Sequence, residues 1–270
     1  MLDTIPSLTV PSIYAQWHHT VARYSSRHLT QYTDTFPAVS GLASIVSTYL
    51  TNAGENAQYV AGMWSTSIRT DLAWCSTESH PNVDRKPVRH PTYIAPSWSW
   101  ASVNGKIAFS SENRSGKDTD GDASAELHTP DLTATIEKWD MQLSTRDSFG
   151  PLASARLYLR APVVDAILEY YSASSSYFLN GPGGGPAQRI GHMTFDVPPE
   201  SEGFTVVRCI ALFRIAECEH ARYAKEPTCG VGLAVVPVKG EEGVYRRVGR
   251  VGCLRMRWFE GVGEEGVVLV

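Results

Sequence analysis

Asp118, Asp120 and Asp122, in the stretch D-T-D-G-D, are spaced like the first ligands of a calcium loop. Such a loop needs glycine at its sixth position for the turn and a bidentate glutamate at its twelfth. Ala123 and Thr129 stand there instead, so the stretch reads as a solvated acidic loop. The glycine-rich run from Gly181 to Gly185 raises the question of a phosphate cradle. A P-loop ends in Gly-Lys-Ser/Thr and opens a helix, and dinucleotide glycines follow a strand in a βαβ unit. Neither context is present, which leaves a flexible surface loop. For nucleophilic chemistry there is no G-x-S-x-G, no H-E-x-x-H and no C-x-x-C pair. His18 and His19 are adjacent, so on a helix they diverge by about 100° and cannot share a metal as i,i+4 partners do. A triad dispersed along the chain is defined by geometry rather than order, so a hydrolase with such a site stays an open alternative. No catalytic residue, metal site or cofactor is assigned, and the chain is not read as an enzyme.

The segment Tyr245–Trp258 carries Arg246, Arg247, Arg250, Arg255 and Arg257. An RNA-binding sheet combines such a run with exposed aromatics and a basic domain average. Here Glu241, Glu242 and Glu260 flank the run and the net charge is −4. Solvated strand faces with ion-paired arginines are the expectation, and nucleic acid is not an expected partner.

Residues 93–105 read Y-I-A-P-S-W-S-W-A-S-V-N-G. As a strand, the motif sends Trp98, Trp100 and Ser102 to one face and Ser97, Ser99, Ala101 and Val103 to the other. Facing solvent, the indoles would form a stacking platform in a carbohydrate- or ligand-binding β-sandwich. Facing inward, they anchor a core. Losing a buried tryptophan costs about 3–5 kcal/mol, and that size of term favours the core reading.

Those residues need elements to position them. Trp17, Val21, Tyr24 and His28 recur at helical spacing. A second helix is expected from Pro37, capped by Asp34 or Thr35, with an apolar stripe of Phe36, Val39, Leu42, Ala43, Val46 and Leu50 and a stop at Asn52–Gly54. A third is expected over Met63–Trp74, from Trp64, Ile68 and Leu72. Residues 76–91 are polar and punctuated by proline, a loop. From Tyr93 the period changes to two. Strands are expected at Ser97–Val103, Ile107–Phe109, Leu132–Trp139, Ala155–Ala161, Met193–Val197, Phe204–Ile215, Gly232–Val238, Val244–Val251 and Gly266–Val270. Short strands in series without alternating helices imply antiparallel pairing. The fold class is therefore α+β: a helical segment over 1–90 packed on an antiparallel β-rich, sandwich- or barrel-like domain over 91–270. Mobile loops are expected near 110–126 and 177–189.

At 270 residues, with 43% apolar content, the chain can bury a substantial core. No apolar run approaches the roughly 20 residues that span a bilayer. Residues 1–19 lack the basic start and apolar centre of a secretory signal. No membrane contact is expected, and cytoplasmic localisation is. The five cysteines, Cys75, Cys209, Cys218, Cys229 and Cys253, are odd in number and irregular in spacing, as reduced thiols would be.

Trp17–Val46, with Gly41, Leu42 and Ala43, resembles a stretch of fungal heterokaryon-incompatibility (HET) domain proteins. So do Y-V-A-G-M-W, with Gly62 and Trp64, and I-R-T-D-L-A-W. Pro96, Ser97, Trp98, Ser99, Trp100, Ala101 and Ser102 match the most recognisable downstream motif of that family. L-Y-L-R-A-P-V, G-L-A-V-V-P-V and Y-R-R-V-G (Tyr245, Arg246, Arg247 and Gly249) match weaker strand motifs. The resemblance is close over 17–105 and looser beyond. In that family the HET domain proper precedes these motifs, opening on Y-x-A-L-S-Y-x-W-G and closing on A-W-T-L-Q-E-R. Neither occurs here, so the resemblance implies the region C-terminal to the HET domain, or a truncated relative, and transfers no catalytic residue. It implies a recognition or regulatory role in fungal non-self recognition and programmed cell death, through protein partners.

Overall fold

The computed structural model describes residues 9–27, 29, 31–77, 86–109, 131–172, 176–198, 205–215 and 229–270. Asp118, Asp120 and Asp122, the loop expected at 110–126, Cys218 and His28 lie outside them. The first helix, α1 (Val10–Ser25), opens on Thr9, whose hydroxyl accepts the Ser12 N–H, with proline in the first turn. It buries Ile13, Trp17, His18, Val21 and Ala22; of the expected stripe, Trp17 and Val21 are buried and Tyr24 is half-buried. The second helix, α2 (Pro37–Asn52), starts on Phe36 without a side-chain cap, so neither Asp34 nor Thr35 plays that part. Gly54, at φ +80°, ends it in the left-handed conformation that glycine adopts freely. Phe36, Val39, Ala43 and Leu50 face the core, whereas Leu42 points out with Ile45 and Tyr49.

Met63–Trp74 is not one helix. Tyr59–Val60 and Met63–Trp64 pair as a hairpin, and only Ile68–Asp71, α3, is helical. Trp64, Ile68 and Leu72 are all buried, so their spacing reported burial rather than helix. Ser65, Thr66 and Ser67 interrupt them, and such residues compete for backbone hydrogen bonds. The segment Ser97–Val103 is not a strand either. The Pro96 carbonyl accepts the Ser99 N–H at 2.9 Å. Trp100–Ser102 then forms a 3₁₀ turn capped by the Ser99 hydroxyl. Only Val103–Asn104 is extended, against Val88–Arg89.

Nine strands form the large sheet: β1 (Asp131–Leu132), β2 (Thr135–Leu143), β3 (Leu152–Tyr171), β4 (Ser176–Asn180), β5 (Arg189–Phe195), β6 (Val206–Ile215), β7 (Cys229–Pro237), β8 (Val244–Arg255) and β9 (Glu264–Leu269). The region expected as a loop at 177–189 therefore contains most of β4 and a 3₁₀ turn at Pro186–Gln188. The first half of β3 pairs with β2 and β9, its second half with β6 and β4. Pairing then runs β4–β5–β8–β7–β6 and returns to β3, closing six antiparallel strands into a barrel. The β8–β9 contact is parallel over two residue pairs.

Two apolar clusters fill this architecture. The smaller lines the barrel, from Ala166 and Leu179 to Val251 and Leu254. The larger joins Ile13, Trp17, Phe36, Trp64 and Trp100 to Leu157, Leu233 and Leu269, so helices and sheet share one core. Burial pushes the Cys209 thiol well above its ordinary value. The four described cysteines are unbridged. No helix among the described residues is long and apolar enough to cross a membrane.

Gly62 locks the hairpin to this core. It adopts φ +92°, and a Cβ there would lie 2.5 Å from Trp100 Nε1. Gly62→Ala combines backbone strain with overpacking and is expected to destabilise the protein by about 2–4 kcal/mol in urea unfolding.

Candidate functional site

The motif residues meet around a buried charge. Arg247, on β8, is fully inaccessible to solvent, a correction to its expected place on a solvated strand face. Its Nε donates to Asp196 Oδ2 at 3.1 Å and its Nη2 to Asp196 Oδ1 at 2.9 Å. Nη1 donates to the Leu72 carbonyl and Nη2 to the Trp74 carbonyl, both at 2.6 Å. The guanidinium carbon lies 3.7 Å from the Trp74 ring centroid. Burial pulls the Arg247 guanidinium below its ordinary value, and Asp196 opposes that pull. Arg89 approaches from outside, donating to the Arg247 carbonyl at 2.8 Å and standing 3.7 Å from Asp196.

Ser97 ties the motif to the same residue. Its hydroxyl accepts the Arg247 N–H at 2.9 Å and donates to the Val270 carbonyl, which also accepts the Ser97 N–H. The Ser102 hydroxyl returns to the Ser97 carbonyl. One step along, the Trp74 indole donates to the Trp98 carbonyl at 2.8 Å. Ser99 donates to the Ala61 carbonyl at 2.7 Å, and Trp100 donates to that of Gly62 at 2.8 Å. Trp17 reaches the same Gly62 oxygen at 3.2 Å. Trp100 sits edge-on to Tyr24 and Phe36, and Trp64 to Trp17 and Tyr59. Pro96, Ala101 and Ala43 are buried beside them.

Other motif residues sit apart from this centre. Gly249 lies where β8 crosses β5, with no room for a Cβ against the Thr194 carbonyl. Tyr245 and Arg246 are half-buried on β8, and the Tyr245 hydroxyl accepts from Arg208. Gly41 and Leu42 lie on the exposed side of α2. Asp196 escaped the sequence reading. A lone aspartate inside M-T-F-D-V-P-P was the available signal, and nothing local names its partner.

Arg247, Asp196, Leu72 and Trp74 are closed to solvent, and only Arg89 reaches outward from the clamp. Trp98 is 0% and Trp100 2% exposed, so neither offers a stacking surface. His18, Asp71 and Ser67 do converge, His18 Nε2 2.8 Å from Asp71 Oδ1 and Ser67 donating to Oδ2 at 2.7 Å. The hydroxyl thus bonds the carboxylate and not the imidazole, which is not the relay a nucleophilic serine needs. Phe36, Tyr59, Met141 and Leu152 border a small gap with about 180 Å³ of empty volume. No cluster of metal-ligating side chains occurs among the described residues. No protein family, curated protein or solved structure was found to match the chain.

Removing one partner of the buried pair strands the other charge. Arg247→Met and Asp196→Leu are each expected to cost about 3–5 kcal/mol in urea unfolding, and the double variant less than their sum. Five of the seven tryptophans are fully buried, while Trp139 and Trp258 are partly exposed. Acrylamide is therefore expected to quench mainly those two. Phe at both positions is expected to leave an emission that acrylamide barely touches.

Proposed function

We propose that this chain is a non-catalytic recognition or regulatory module of the fungal heterokaryon-incompatibility class. It is the region that follows the HET domain proper, or a truncated relative, and works through protein partners in cytoplasmic non-self recognition and programmed cell death. The resemblance over 17–105 supports the class. The observation that supports partner contact is the outward side of α2. Leu42, Ile45 and Tyr49 are 48%, 53% and 49% exposed and recur three and four residues apart. The helix V-S-G-L-A-S-I-V-S-T-Y-L carries no charged side chain on any face. Contact surfaces are depleted of charge and enriched in aromatics at their centres. Motif residues at the clamp are committed to holding the fold, whereas Gly41 and Leu42 remain at the surface.

Expression of this chain in a filamentous fungus is expected to leave colony extension and viability unchanged. Cell death on expression of the chain alone would overturn its reading as a non-effector region.

A further inference from the structure

The outside of the barrel, beside the glycine turn, holds a cation without an anion. Arg189 opens β5. Its guanidinium carbon lies 3.6 Å from the Phe178 ring centroid and 5.0 Å from that of Tyr171. The two rings stand at 88° to each other, so only one of them can lie flat on the guanidinium, and together they restrict its position. Arg189 Nε is buried without a hydrogen-bond partner, and no ion pair engages the side chain among the described residues. Glu169, on β3 across β4, is already occupied. It accepts the Gly185 N–H at 3.2 Å to each oxygen and the Tyr171 hydroxyl at 3.1 Å.

Directly across the ladder from Arg189 stands Asn180. It is fully buried, yet neither Oδ1 nor Nδ2 has a hydrogen-bond partner. Leaving a buried amide unsatisfied costs about 1–3 kcal/mol, so its presence calls for an explanation. On β4, Asn180 alternates with Leu179 and shares a face with Phe178, the ring under the guanidinium. Unpaired amide and unpaired cation therefore occupy one side of one strand pair. The backbone around them is held: the Trp258 indole donates to the Arg189 carbonyl at 3.1 Å and packs against Gly181, where no Cβ fits.

We propose that Arg189 and Asn180 form a binding site for a small oxyanion, the carboxylate or phosphate group of a soluble ligand. Arg189 supplies the charge and paired N–H donors, and the Asn180 amide supplies a further donor. The inference is independent of the proposed function and stands or falls separately. Titration of inorganic phosphate, and separately of acetate, into the isotopically labelled full chain tests it, with chloride at matched ionic strength as control. Saturable shifts of the Trp258 indole N–H and the Gly183–Gly185 amides are expected with phosphate or acetate, and the anion that binds identifies the source. Arg189→Gln is expected to weaken that binding about tenfold or more. Asn180→Leu, which removes the orphaned amide, is expected to stay folded and also to bind more weakly. The absence of a saturable shift, a shift that chloride reproduces, or binding unchanged by Arg189→Gln would each overturn the proposal.

Discussion

A guanidinium does not shed its charge in a protein, so burying Arg247 obliges the surrounding chain to supply an anion and acceptors. Asp196 supplies the anion, and the carbonyls of Leu72 and Trp74 supply the acceptors. These come from three separate parts of the chain: the strand end after β5, the turn after α3, and β8 itself. The pair thereby dictates where the helical part sits on the sheet. Replacement by apolar residues of similar volume is tolerated at many buried ion pairs, so the constraint concerns placement more than net stability.

The serine–tryptophan motif is the second layer of that arrangement. Its serines act as connectors, bonding Arg247, Ala61 and Val270, while its tryptophans fill the space between α1, α2 and the Tyr59–Trp64 hairpin. Small polar side chains suit this work because a hydroxyl both donates and accepts within a few ångströms of its own backbone. The left-handed turn at Gly62 completes it, since its carbonyl receives two indole N–H groups. The interior is thus specified by directed hydrogen bonds laid over a tryptophan-rich apolar core.

That use of the motif leaves the surface as the place where partners and ligands can be met. The uncharged side of α2 and the stacked Arg189 beside Asn180 are on different elements, one helical and one on the barrel wall. The glycine run read in the sequence as a flexible surface loop, and nothing local marked it as the neighbour of an arginine set against aromatic rings. Only the β4–β5 pairing brings Asn180 opposite Arg189.

The sequence by itself determined what is local or additive. Apolar spacing marked α1 and the inner side of α2, and period-two runs marked β6, β7 and β8, because each pattern follows from the repeat of a single element. It also favoured placing Trp98 and Trp100 inside, since the cost of exposing them is large in either conformation. Tertiary structure decided the rest. Alternation in S-W-S-W-A-S suggested a strand, yet burial on every side and serine hydrogen bonds wind it into a turn and a 3₁₀ helix. Arg247 resembled its neighbouring arginines, and its partners lie 51 to 175 residues away in the chain. Periodicity carries no information about contacts over such separations, so the folded chain alone selects which arginine is buried and what neutralises it.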